Sequence, residues 1–199
     1  GFLADMADRS GAQNLYIIGH SMGTRGLTQA LRNLVAKRPD LRGRFRGIRG
    51  HTHHDPEVFV AGVNWPDRML TEPKVRKAIA RLAPLGLVYE SWLFHTQIRE
   101  LVELAHAQPQ TVIVLNHCGG PLGVGRWAGR EDEVYPVWRR DMDALSRCPN
   151  VYVLAGGLGT STVGFDLWDR EKPVSSQEIA MRWRKWVEPT IELFGPYRC

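Results

Sequence analysis

Short apolar runs alternate with amphipathic stretches along most of the chain. The run at 14–20, NLYIIGH, is apolar and short, as a strand buried on both faces of a parallel sheet would be. It is followed at 24–37 by TRGLTQALRNLVAK, where Leu27, Ala30, Leu31, Leu34 and Val35 fall on one helical face. Pro39 stops that helix. FRGIRG (45–50) and LVYESW (87–92) are further strand candidates, and TVIVLNH (111–117) and NVYVLAGG (150–157) are the most β-branched and apolar. Helical spacing recurs at 72–86, with Pro73 in its first turn and Gly86 past its end. It recurs again at 96–108 and 135–148. The last helix, 175–195, opens with Ser175 three residues before Glu178, a capping box, and Pro189 should kink or split it.

Five strand–helix units predict an α/β fold with a parallel sheet covered by helices. The sheet is either doubly wound or part of a (β/α)8 TIM barrel. A whole barrel needs about 250 residues, and the chain has 199, so the barrel reading is an incomplete one. Two long glycine-rich loops, 118–134 and 156–174, should overhang one end of the strands.

Composition narrows the function classes. With 43% hydrophobic and 24% charged residues the chain is an ordinary globular one. No apolar run approaches the ~18 residues of a membrane span. Three cysteines (Cys118, Cys148 and Cys199) at no metal-ligand spacing point to a reduced, cytoplasmic protein. The net charge of +5 is concentrated early: nine of 26 Lys/Arg but only three of 21 Asp/Glu lie in residues 1–50. Phe45 is the only aromatic in the basic stretch at 37–49, and no nucleic-acid-binding module surrounds it, so it reads as a solvated connector. The partner expected is a small-molecule substrate, with neither nucleic acid nor membrane, and a homo-oligomer is an option for an incomplete barrel with open strand edges.

The first chemical motif is GHSMG, residues 19–23, with the pattern G-x-S-x-G. Between a strand and a helix, its glycines let the backbone turn tightly and present Ser21 as a nucleophile. Residues 1–40 resemble esterase-like members of the α/β-hydrolase family on this motif. That family also needs an acid and then a histidine downstream, and no histidine follows His117. A serine esterase using Ser21 is therefore the alternative reading, and a stranded elbow the main one.

From about 44 onward the strings FRGIRG, RLAPLGLVYESWLFHTQIRELVELA, PQTVIVLNHCGGPLGVG, CPNVYVLAGGLG and SSQEIAMRW followed by IELFGPYRC carry a second resemblance. In this order they are similar to the amidohydrolase-type TIM-barrel hydrolases, particularly the branch with sugar and dicarboxylate lactonases. The resemblance implies two segments, an α/β-hydrolase-like fragment over 1–42 and a partial amidohydrolase barrel over 43–199. It also implies hydrolysis of cyclic esters or related carboxylate substrates, in a copy that is active or else truncated or fused and inactive.

His117 ends an apolar strand and opens a glycine-rich turn, and the resemblance makes it the active-site histidine, as catalyst or metal ligand. His95 and Gln97 follow the preceding strand and either face the same cavity or cap the next helix. By the resemblance Arg49 matches a position that holds substrate oxygens, which a guanidinium can grip at two points, or else it is a solvated member of the basic connector. His51 and His53 form an H-x-H pair, suited to a divalent metal such as Zn²⁺ or Mn²⁺ or simply part of a polar loop. The family's own H-x-H belongs to an earlier strand that this chain lacks, and Leu154 stands where the family often has Lys. Metal-dependent and metal-independent chemistry both stay open.

Overall fold

The protein is represented by a computed structural model that describes residues 8–11, 15–19, 33, 36–41, 44–165, 167 and 170–199, with the backbone alone for 15–19 and 41. Every predicted strand is present: β1 (Leu15–Gly19), β2 (Phe45–His51), β3 (Val88–Trp92), β4 (Ile113–Leu115) and β5 (Val151–Val153). They form one five-stranded sheet in the order β1-β2-β3-β4-β5, and every pairing is parallel. Sequential order means that successive crossovers advance in one direction, as in a barrel, whereas a doubly wound sheet reverses. β1, the strand of the serine-elbow segment, pairs with β2 along its length and shares this sheet. Ser21 and the rest of the expected elbow lie outside the described residues.

Among the described residues four α-helices follow β2: α1 (Pro73–Ile79), α2 (Ile98–Ala107), α3 (Glu131–Ser146) and α4 (Ser176–Phe194), while most of the helix expected at 24–37 lies outside the described residues. α3 starts before the expected 135 because Glu131, Asp132 and Glu133 form an acidic first turn, which the helix dipole favours and apolar spacing does not reveal. The Ser175 hydroxyl oxygen accepts the Glu178 N–H at 3.2 Å, the expected cap of α4. Of the kink or split expected at Pro189, the split does not occur: the helix runs on across it. None of the described helices is long and apolar enough to cross a membrane.

Strand alternation sorts the two faces of the sheet. Ile48, Tyr89, Ile113 and Val151 share one rung, and Leu115 and Val153 lie on the same side. All six are buried in one cluster with Leu101 and Leu104 of α2, Trp138 and Leu145 of α3, and Trp186 of α4. Burying side chains of this size stabilises the fold by about 1.5–3 kcal/mol each. Gly50 belongs to this layer because a Cβ there would overlap the Tyr89 ring. The opposite, open face carries Arg49, Glu90, Val114 and Tyr152 on the adjacent rung. There Val112, Tyr152 and Leu154 stay 38–43% exposed.

Candidate functional site

The open face turns polar toward the C-terminal ends of β2, β3 and β4. Arg49 and Glu90 are register partners, and Arg49 Nε donates to Glu90 Oε2 at 2.6 Å. Glu90 is nearly buried, while Arg49 keeps 30% of its side chain exposed. The carboxylate thus fixes one edge of the guanidinium. No protein acceptor among the described residues takes its two terminal nitrogens. One position further along the same face, His51 stands opposite Trp92, with ring centroids 5.1 Å apart.

His117 closes the group from the end of β4. Its ring centroid lies 6.4 Å from that of Trp92, edge to face. Both His117 (φ 57°) and Cys118 (φ 51°) are left-handed, an uncommon state for side-chain-bearing residues that the surroundings must hold in place. Four contacts do so. Cys118 N–H donates to the Leu154 carbonyl at 3.2 Å, and Gly119 and Gly120 N–H to the Asn116 and His117 carbonyls. Trp138 Nε1, from α3, donates to the Cys118 carbonyl at 2.7 Å. Gly157, itself at φ 72°, lies directly against the imidazole, where any Cβ would overlap it. Burial lowers the His117 pKa, the positive charge of Arg49 lowers it further, and Glu90 partly offsets both. The ring is therefore neutral at pH 7, able to accept a proton or bind an electrophile.

Asn116 precedes His117 and, by alternation, shares the open face. It is fully buried, and neither its amide oxygen nor its nitrogen has a partner among the described residues. Such a group costs about 1–3 kcal/mol and asks for a polar visitor.

His95 and Gln97 sit elsewhere. After Trp92 the chain enters a single 3₁₀ turn, His95–Gln97, which carries both side chains into backbone contacts. Gln97 Nε2 donates to the Thr52 carbonyl at 2.8 Å, and its Oε1 accepts from His54 N–H at 2.8 Å and Phe94 N–H at 3.4 Å. His95 Nδ1 accepts the Leu122 N–H at 3.3 Å, and its ring packs on Trp127 at 5.0 Å. Desolvation by burial pushes the His95 pKa down to about 4. Both residues thereby brace the loops around the site.

The buried Asp55 is the matching brace. Its Oδ2 accepts from Arg126 and from Trp127 Nε1 at 2.9 Å each, and its Oδ1 from the Glu57 N–H at 2.9 Å. Burial alone would raise the Asp55 pKa, but these donors and the Arg126 charge outweigh it and hold the carboxyl below its ordinary value. Trp127 thereby anchors its loop.

His53 is buried, with its ring 6.2 Å from His51 and 4.4 Å from Trp92. Among the described residues no three His, Cys, Asp or Glu side chains converge to hold a metal. A hydrolytic metal needs three or more protein ligands, so His51, His53 and His117 do not by themselves form a cradle for one.

A family model described as Amidohydrolase matches residues 28–199. The chain belongs to the amidohydrolase family. This match takes in β2 to β5 and the later part of the connection that precedes β2. A curated relative, the uncharacterized protein y4mH of Sinorhizobium fredii, is 32% identical over 152 residues. The alignment covers 76% of this chain and 44% of that protein, so the chain spans less than half the length of the relative it matches. A crystal structure of an amidohydrolase from Burkholderia multivorans with bound HEPES superposes with a TM-score of 0.63 at 17% identity, covering 99% of this chain and 70% of that one. A second crystal form of a Burkholderia multivorans amidohydrolase, with bound Zn, gives 0.61 at 17% identity and the same coverage. At that identity the likeness is one of fold. It agrees with the sequential parallel sheet of this amidohydrolase chain.

Proposed function

We propose that this sheet is an arc of an amidohydrolase-type (β/α)8 barrel, and that its open face hydrolyses a cyclic ester or a related carboxylate-bearing substrate. The observation that carries the reading is the placement of the Glu90-fixed Arg49 guanidinium and the neutral His117 imidazole on one face, at the strand ends where barrels of this type do their chemistry. Family membership supports the reaction class.

In this reading the free edge of Arg49 grips a carboxylate or the ester carbonyl by paired hydrogen bonds. His117 accepts a proton as water adds to the carbonyl carbon. The negative charge that develops on the carbonyl oxygen lies near Arg49, which stabilises it. As the tetrahedral intermediate collapses, the ring C–O bond breaks. The imidazolium returns its proton to the departing oxygen, leaving a hydroxy acid. The described residues do not fit a metal, and each of these steps uses only the chain's own groups.

The test is pH-stat hydrolysis of matched γ- and δ-lactones with and without a ring carboxylate. The carboxylated lactones should be cleaved faster, and Arg49→Met should remove that preference. Absence of hydrolysis across the panel would overturn the proposal.

A further inference from the structure

We propose that Trp138 is a positioning residue for the hydrolysis, its indole N–H locking the left-handed turn that holds His117 in the site. The inference rests on the reading of His117 as the proton acceptor. Trp138 lies on α3 and is fully buried in the core layer, on the opposite side of the sheet from that imidazole. It therefore acts through the backbone. Its target is the Cys118 carbonyl, 2.7 Å from Nε1 and 20 positions away in sequence.

The local sequence makes that carbonyl depend on a distant donor. In a helical turn a carbonyl is met by the N–H three or four residues on. Three residues after Cys118 stands Pro121, which has no N–H. Four residues on, the Leu122 N–H donates instead to His95 Nδ1 at 3.3 Å. Cys118 is fully buried, so bulk water does not supply the missing bond. His117 and Cys118 stand side by side at φ 57° and 51°, a conformation that persists in such residues only where the surroundings over-determine it. Without the indole donor, the peptide after Cys118 loses the bond that sets its orientation, and the turn relaxes. The imidazole then leaves its place against Gly157. The donor is itself rigid: Tyr135 and Trp186 pack on the Trp138 ring at centroid distances of 5.6 Å and 4.9 Å, so its N–H is aimed before any substrate arrives.

The test variant is Trp138→Phe, which keeps most of the aromatic volume and loses the donor. Leu145→Ala, at a fully buried core position of the same helix, controls for destabilisation alone. With a carboxylated lactone, Trp138→Phe should lower kcat about 10- to 100-fold and leave KM within about 2-fold, because Arg49 is untouched. Leu145→Ala should keep the wild-type kcat at a temperature where it is folded. The imidazole is followed separately through the His117 ring resonances in NMR spectra of the substrate-free proteins. They should shift in Trp138→Phe and stay in place in Leu145→Ala. Independently of any variant, the wild-type Trp138 indole N–H should exchange with solvent deuterium only on global unfolding. An unchanged kcat or unmoved His117 resonances in Trp138→Phe, an equal shift in Leu145→Ala, or fast exchange of the indole N–H would overturn the inference. Wild-type protein that cleaves no lactone would instead overturn the reading of His117 beneath it, and the NMR comparison would still decide the positioning.

Discussion

Acidification should destabilise the protein through His95, a residue that touches none of the proposed chemistry. Its ring is 1% exposed, packs on Trp127, and uses Nδ1 to accept the Leu122 N–H. That bond needs an unprotonated Nδ1, and desolvation lowers the pKa from 6.5 to about 4. Between these values the unfolded chain binds a proton that the folded chain does not. Stability is therefore full above pH 6.5, falls as pH drops through the window, and levels off below about 4. At 1.36 kcal/mol per unit, a shift of that size corresponds to a loss of about 3 kcal/mol.

The perturbation is His95→Gln, whose side-chain oxygen can take over the Leu122 N–H and does not titrate. Urea unfolding of both proteins at pH 8, 7, 6, 5 and 4 supplies the comparison. His117 and the carboxylates are common to both and cancel in the difference. The wild-type protein should lose about 3 kcal/mol more than the variant between pH 8 and pH 4. Parallel curves across that range would refute the reasoning.

Other perturbations separate site geometry from stability. Gly157→Ala places a methyl group where the His117 ring sits and also strains a left-handed backbone position. Hydrolysis should fall at least 10-fold while the circular dichroism spectrum is kept. Gln97→Ala strips partners from the Thr52 carbonyl and the His54 N–H, and should cost roughly 2–4 kcal/mol in urea unfolding. A site saturated 100-fold above its dissociation constant would add about 2.7 kcal/mol of stability. With no three ligands converging among the described residues, no such gain is expected when Zn²⁺ is titrated during thermal unfolding.

The fold was legible where local pattern decides it. Each apolar run became a strand of one parallel sheet, although the ladders of β4 and β5 are only three residues long. β4 ends at Leu115, two residues before the backbone turns left-handed at His117. The start of α3 was hidden because an acidic turn carries no apolar spacing. Within the candidate site, His117 was singled out because it ends an apolar strand run, and Arg49 because of the family resemblance. The pairing of Arg49 with Glu90 could not, since it joins positions 41 apart and depends on strand register. Trp92 and Asn116 were hidden for the same reason, as alternation assigns a face only once the register is known. His95 and Gln97 looked like site residues because they follow β3. One 3₁₀ turn redirects both to backbone partners, and nothing in the string LFHTQ announces that turn.

The central claim is that chemistry resides at the strand ends around His117 and not at the serine elbow. It is tested most directly by measuring kcat/KM for the best carboxylated lactone with the wild-type, His117→Ala and Ser21→Ala proteins. The account predicts a loss of about 10²- to 10⁴-fold for His117→Ala and an unchanged value for Ser21→Ala. Retained activity in His117→Ala, with loss in Ser21→Ala, would contradict it.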